Sequence, residues 1–132
     1  MFVDSNVFIS ALISENSPCR QLIKVVIRSH QLILCTQSLQ EITRVIKKKF
    51  PGKIVELDTM LASLDFELVY TPKDTSLLDI PYIRDSEDLP ILISAIIAKS
   101  DIFVTGDKDF HTEEIQESLY VCTPADFLSN FT

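Results

Sequence analysis

The chain alternates between short runs of consecutive apolar residues and longer segments in which apolar residues recur every three or four positions. The short runs predict buried strands, and the longer segments predict helices that bury one face. The predicted strands cover residues 2–3, 32–35, 66–70, 102–105 and 119–122. Strands that alternate with helices favour an α/β fold, a three-layer α/β/α sandwich with a central, mainly parallel sheet.

The helical segments between these strands differ in how much of their surface is apolar. The predicted helices begin after Asp4 and then cover 19–29, 36–50, 53–64, 85–99, 112–117 and the end of the chain after Pro124. The helix over 85–99 is apolar on nearly every side, so we expect it to be central and buried. Residues 71–79 and 81–88 are polar and contain proline, and we predict loops there.

The length and composition limit the classes of protein that this chain can represent. Its 132 residues, of which 46% are hydrophobic, predict a single domain over residues 1–132. The only glycines, Gly52 and Gly106, exclude the Gly-rich loops of nucleotide-binding folds. Three widely spaced cysteines and an N-terminus unlike a signal peptide indicate a cytoplasmic protein. The longest apolar stretch is far shorter than the about 20 residues of a membrane helix, so we expect no membrane partner.

Charge is divided unevenly along the chain. The net charge is −7, but residues 1–53 contain eight Lys and Arg against three acidic residues, and residues 54–132 are strongly acidic. Arg44 and Lys48 follow Glu41 by three and seven residues, which places all three on one face of the helix over 36–50. These two cations are our candidates for binding an anionic substrate, and a solvated basic surface is the alternative.

Four carboxylates lie where a predicted strand meets a helix, or on a helix edge near such a junction. They are Asp4, Glu41, Asp88 and Asp107. Functional sites in parallel sheets lie at the carboxyl ends of the strands. Carboxylates that converge there repel one another unless a cation lies between them, and oxygen ligands select Mg²⁺ or Mn²⁺. Such ions activate water and neutralise charge on a phosphodiester, so the four acids predict a nuclease site.

Each acid also has a purely structural explanation. Asp4 could cap the first helix, and Asp88 could be placed to suit the dipole of its helix. Asp85, three residues before Asp88, fits a helix cap or a residue behind the metal ligands better than a ligand. Asp109 either completes the metal site or holds its own loop.

The remaining polar residues have smaller expected roles. Asn6 and Thr105 could hydrogen-bond the carboxylates or a water on the metal, and both also suit strand ends and turns. We expect His30 to lie at a helix end and His111 on a surface loop, without function. We expect the cysteines to be inert core thiols.

Four segments combine these residues in a fixed order. They are residues 3–8 (VDSNVF), 38–42 (SLQEI), 84–92 (RDSEDLPIL) and 104–110 (VTGDKDF). Together they resemble the PIN domain family, and more closely the PIN proteins that serve as toxins of toxin–antitoxin systems and are similar to VapC. The terminal segment 123–128 (TPADFL) also fits this group, so the resemblance covers nearly the whole chain.

The resemblance implies a metal-dependent endoribonuclease that uses Mg²⁺ or Mn²⁺ and cleaves RNA. By motif position, the four acidic roles belong to Asp4, Glu41, Asp88 and Asp107, the supporting polar roles to Asn6 and Thr105, and further contacts with metal to Asp85 and Asp109. The candidate protein partners are an antitoxin and a second copy of this chain.

Two other classes of protein compete with the nuclease. A phosphoaspartyl phosphatase also has an aspartate after its first strand, but it requires a second aspartate where this chain has Asn6. A PIN fold that keeps its acids and serves only as a catalytically silent interaction module is the stronger alternative. A nuclease assay with added Mn²⁺ separates this module from the enzyme.

Overall fold

The architecture follows from five short strands that pair in parallel, four of them buried and one partly exposed. The computed structural model describes residues 1–73 and 79–131. The strands are β1 (Phe2–Val3), β2 (Leu32–Cys35), β3 (Phe66–Val69), β4 (Phe103–Val104) and β5 (Val121–Cys122). They form one sheet in the order β3-β2-β1-β4-β5, and every pair is parallel. This arrangement confirms the predicted α/β sandwich around a parallel sheet.

Seven helices are present in the part of the chain that the structure describes. They are α1 (Ser5–Ile13), α2 (Pro18–Ser29), α3 (Thr36–Lys49), α4 (Ile54–Ser63), α5 (Leu89–Ile97), α6 (Glu113–Gln116) and α7 (Pro124–Phe131). Each corresponds to a predicted helix, with ends that differ by a few residues. Of the predicted loop over 71–79, residues 74–78 lie outside the described residues.

Helix α5 is shorter at both ends than the predicted helix over 85–99. A separate 3-10 turn, Ser86–Asp88, precedes it, and Pro90 lies in its first turn, where a missing N–H costs no hydrogen bond. At the other end Lys99 has a positive φ of 52°, a left-handed conformation that commonly ends a helix. Residues Ile91 to Ala95 are all buried, as expected for the most apolar helix.

Alternate residues of the strands face two separate apolar cores, which makes three layers. Val3 and Val104 point to the core under α1, α2, α3, α4 and α7. Phe2 and Phe103 point to the core under α5, where their rings stack with centroids 5.3 Å apart. Both faces of the inner strands β1, β2 and β4 are covered, which explains why these strands are continuously apolar. The edge strand β3 is partly exposed and contains Glu67.

The order of the strands determines where a site can form. Successive strands β1, β2 and β3 extend the sheet in one direction, and β4 then pairs with the other side of β1. The β1–β4 junction is therefore the switch point at which parallel sheets bind ligands. Because Val3 pairs with Val104, Asp4 and Thr105 emerge together at this edge.

Among the described residues, no helix is long and apolar enough to cross a membrane.

Candidate metal centre

Asp4 is the most buried carboxylate of the candidate site. It directly follows β1, and its side chain is only 4% exposed. Thr105 Oγ1 donates a hydrogen bond of 2.7 Å to Asp4 Oδ2, and Ser5 Oγ donates a longer one of 3.4 Å to Oδ1. Asp4 occupies the N-cap position of α1, but its side chain makes no capping hydrogen bond there. The capping explanation therefore does not account for this aspartate.

The segment after β4 is organised by a chain of hydrogen bonds that starts at Thr105. The amide of Asp107 donates to Thr105 Oγ1 over 3.0 Å, and the amide of Asp109 donates to Asp107 Oδ1 over 2.9 Å. Asp107 thus caps the 3-10 turn Lys108–Phe110 with one carboxylate oxygen. Thr105 links this turn to Asp4, and its supporting role in the reaction stays a prediction.

His111 lies closer to this segment than the sequence indicated. We expected a surface residue, but His111 is half-buried and its Nε2 lies 2.8 Å from the carbonyl oxygen of Thr105. A carbonyl oxygen only accepts hydrogen bonds, so Nε2 is the donor. His111 therefore helps to hold the strand end that carries Thr105.

Three carboxylates form a compact group beside this edge. Asp85, Asp88 and Asp109 each offer one oxygen, and these oxygens all lie within 4.8 Å of one another. Asp85 also accepts a hydrogen bond of 3.0 Å from the amide of Glu87, which caps the 3-10 turn Ser86–Asp88. Asp88 precedes α5 but makes no capping hydrogen bond with its side chain. Asp85 is thus both a cap and a member of the group.

Burial and like charges hold the pKa values of two acids well above the ordinary value. Burial raises the pKa of Asp88 to about 7, with further increases from the charges of Asp107, Asp85 and Asp4. Burial likewise raises the pKa of Asp4 to about 6, against the opposing effect of the Thr105 hydrogen bond, while Glu41 and Asp107 add to the increase. The acids at this edge therefore interact electrostatically as one cluster.

The other predicted residues lie around this cluster. Glu41 is half-buried on α3, close enough for its charge to raise the pKa of Asp4. Asn6 is exposed and lines a pocket of about 290 Å³ together with Asp107. Arg44 and Lys48 are exposed on α3, and Arg44 lines a shallow groove together with Lys47. The two basic residues and Glu41 therefore lie on the same helix, α3.

The residues of the group fit a hard divalent cation. Its ligand atoms are all carboxylate oxygens, which Mg²⁺ and Mn²⁺ prefer. Burial raises the pKa of Asp88 most, and the like charges around it raise this pKa further; a bound cation would offset those charges. The group contains Asp88, one of the four main candidates from the sequence, together with the two less certain ones, Asp85 and Asp109. The other three main candidates lie outside the group: Asp4 and Asp107 are close enough for their charges to act on Asp88, and Glu41 is close enough to act on Asp4.

The sequence analysis gave no role to Arg84, which contacts this group directly. Its Nε donates to Asp109 Oδ1 over 2.8 Å, and its Nη2 donates to Oδ2 over 3.2 Å. A signal was present, because Arg84 opens the segment that also contains Asp85 and Asp88. The missing information was that this segment lies against residue 109.

Comparison with known proteins identifies the family. A model of the PIN domain matches residues 1–109, which include every acid of the site. None of the curated proteins matches the sequence. A solved structure with a similar fold is that of VapBC2 from Rickettsia felis bound to a DNA fragment from their promoter. The TM-score is 0.68 at 14% identity, covering 92% of this chain and 96% of that one. With its parallel sheet, its acids at the β1–β4 edge and a match over most of its length, this chain belongs to the PIN domain family.

Proposed function

We propose that this protein is a metal-dependent endoribonuclease and the toxin component of a toxin–antitoxin system. The observation that carries the proposal is the cluster of acids at the switch point of the sheet, in which Asp88 has a pKa of about 7 without a cation. PIN domains are generally nucleases, which fits this chemistry. The similar structure is a VapBC2 complex, which supports a toxin with a protein antitoxin as its partner.

The carboxylates of the site would bind the metal ion. Asp85, Asp88 and Asp109 would hold Mg²⁺ or Mn²⁺, with Asp107 beside Asp88 and Glu41 beside Asp4. A bound ion supplies activated water and neutralises charge that develops on the phosphodiester. No side-chain nucleophile is needed for this chemistry.

Asp4 and Thr105 form the rigid side of the site. The hydrogen bond from Thr105 fixes the direction of the Asp4 carboxylate, and both side chains are buried at the ends of paired strands. A catalytic group held by packing and a hydrogen bond loses little freedom when substrate binds. Asn6, exposed beside the Asp107 pocket, would hydrogen-bond the carboxylates or a water on the metal.

An apolar face elsewhere on the molecule supports a protein partner. Ile27 on α2 and Val55 on α4 are 56% and 75% exposed, and they line a groove of about 390 Å³ together with Met60. Exposed apolar side chains that cluster in this way commonly mark an interaction site. An antitoxin segment is the occupant that we propose, and a second copy of the chain is the alternative partner.

The cysteines support a reducing compartment, for which we propose the cytoplasm. Cys19, Cys35 and Cys122 are all free thiols. Cys35 Sγ caps α3 by accepting from the amide of Ser38, a structural role. Burial raises the pKa of the Cys122 thiol to about 11, which makes it unreactive.

The test of the proposed activity is cleavage of single-stranded and structured RNA by the purified protein. We expect cleavage with Mn²⁺, none after the metal is removed with a chelator, and recovery when Mn²⁺ is restored in excess. Equal cleavage with and without chelator would contradict the metal site. Binding of RNA or an antitoxin without any cleavage would favour the catalytically silent module.

Replacement of Arg44 and Lys48 by alanine should weaken RNA binding. These exposed cations share a helix face with Glu41 and would guide phosphates towards the acids. The salt dependence of binding should flatten by roughly one unit of slope for each lost phosphate contact. Fluorescence anisotropy of a labelled RNA across a salt series measures this slope. Lys49→Ala, on another side of α3, is the matched control, and an unchanged slope in the double variant would contradict the prediction.

A further inference from the structure

Arg84 and Asp109 form a two-pronged ion pair at the candidate metal group. Both oxygens of the Asp109 carboxylate accept from the same guanidinium, over 2.8 and 3.2 Å. One of these oxygens is also within 4.8 Å of the ligand oxygens of Asp85 and Asp88. The guanidinium therefore neutralises a carboxylate that a metal ion would need.

The two partners of this pair differ in their freedom to move. The side chain of Arg84 is 79% exposed, whereas that of Asp109 is 14% exposed. The amide of Asp109 is also tied to Asp107 by the bond that caps the 3-10 turn. If the pair opens, Arg84 is the partner that moves, because water replaces its contacts at little cost.

A divalent cation and the guanidinium compete for the same negative charge. An ion held by Asp85, Asp88 and Asp109 repels the Arg84 cation and withdraws charge from the oxygens that it contacts. An exposed ion pair contributes little to stability, so this competition is sufficient to loosen it. A released guanidinium retains the fork of N–H donors that matches a phosphate.

Residues 54–132 contain few cations that could perform this task. They carry sixteen acidic residues against four Lys and Arg, one of which is Arg84. RNA that approaches the acids needs positive charge near its phosphates. Arg84 is the one of these four cations that contacts the group that would hold the ion, through Asp109, in the part of the chain that the structure describes.

We propose that Arg84 is a positioning residue that pairs with Asp109 while the metal site is empty and turns to a phosphate of the RNA when a cation binds. This inference rests on the proposed function and names a residue for which that function had no role. The simpler explanation is that Arg84 only ties the segment before α5 to the turn after β4.

The two explanations predict opposite changes in the affinity for Mn²⁺, measured without RNA, when Arg84 is replaced. If Arg84 competes with the ion, Arg84→Gln frees Asp109 and tightens Mn²⁺ binding by about twofold to fivefold, the range for an exposed ion pair. If Arg84 is only a tie, its loss lets Asp109 separate from Asp85 and Asp88, and Mn²⁺ binding weakens. Calorimetric titration of wild type and variant measures the change, and unchanged or weaker binding would overturn the proposal.

Lys108→Gln is the matched control for the loss of one positive charge. Lys108 is exposed on the turn next to Asp109. Among the described residues, however, Asp109 forms its ion pair with Arg84. We expect Lys108→Gln to change Mn²⁺ affinity less than Arg84→Gln does. An equal effect of both substitutions would show a general charge effect and would overturn the specific role of Arg84.

Binding of a labelled single-stranded RNA, measured at times at which a gel shows the RNA still intact, tests the second half of the proposal. In the presence of Mn²⁺, Arg84→Gln should weaken binding and reduce its salt slope by about 0.7, the value for one phosphate contact on a single strand. Without Mn²⁺ the variant should bind RNA as wild type does, because Arg84 is then held by Asp109. The same loss with and without Mn²⁺ would overturn the exchange of partners.

Neither measurement requires cleavage. The proposed role of Arg84 and the proposed nuclease activity can therefore be contradicted independently. RNA that is bound but remains intact on a gel would overturn the nuclease and leave the Arg84 results standing. Cleavage accompanied by unchanged Mn²⁺ affinity in Arg84→Gln would overturn the role of Arg84 alone.

Discussion

Asp4→Asn and Asp88→Asn should each lower the rate of metal-dependent RNA cleavage by more than about a hundredfold. Loss of a residue that merely supports a metal ligand typically costs about ten- to a hundredfold, and these two carboxylates lie within the acidic cluster itself. Asn is nearly isosteric with Asp, so it removes the charge and preserves the packing around Thr105 and α5. Single-turnover cleavage at saturating Mn²⁺ measures the effect.

Asp58→Asn provides the control for this experiment, since Asp58 is an exposed carboxylate on α4 outside the site. It should cleave RNA at the wild-type rate. Circular dichroism of all three variants establishes that they are folded. Rates within a few fold of wild type for both Asp4→Asn and Asp88→Asn would show that the site is assigned to the wrong residues.

Without metal, the Asp4→Asn variant should be more stable than wild type. The difference in their free energies of unfolding should increase with pH. A carboxyl whose pKa is higher in the folded state than in the unfolded state binds more protons when folded, so its ionisation destabilises the fold. For Asp4 the pKa rises from 3.8 to about 6. Its effect is absent below about pH 4 and complete above about pH 7, and the shift corresponds to about 2–3 kcal/mol.

The measurement is the difference in unfolding free energy between wild type and Asp4→Asn, from urea melts with chelator at pH values from 5 to 8. Asp58→Asn, at an exposed carboxylate outside the cluster, is measured in parallel as the control. A difference that is near zero at every pH would indicate that Asp4 is an ordinary cap, since Asn caps a helix about as well as Asp.

Mn²⁺ at neutral pH should raise the melting temperature of wild type much more than that of Asp4→Asn, because the cation relieves a repulsion that the variant lacks. Equal shifts in both proteins would show that Asp4 is not part of a metal site.

Local patterns in the sequence were sufficient to predict the fold. Each strand except β3, which contains Glu67, is a short apolar run, and the apolar residues of the helices recur with helical spacing, so the type and order of the elements follow from neighbouring residues alone. Parallel pairing then follows because helices connect successive strands. The ends of α5 were less predictable, because they depend on the 3-10 turn before Leu89 and on the left-handed conformation of Lys99.

The sequence also determined which edge of the sheet would carry the chemistry, since Asp4 and Asp107 follow strands that end there. Only the tertiary structure decided how the acids are arranged along this edge. Asp4 could be a cap or a site residue until its carboxylate was found to accept from Thr105, 101 residues away. The grouping of Asp85 and Asp88 with Asp109, and the contact of Arg84 with that group, depend on how two loops pack against each other. The spacing of residues within a helix or strand sets only distances along that element, so contacts between loops far apart in the sequence arise only in the folded chain.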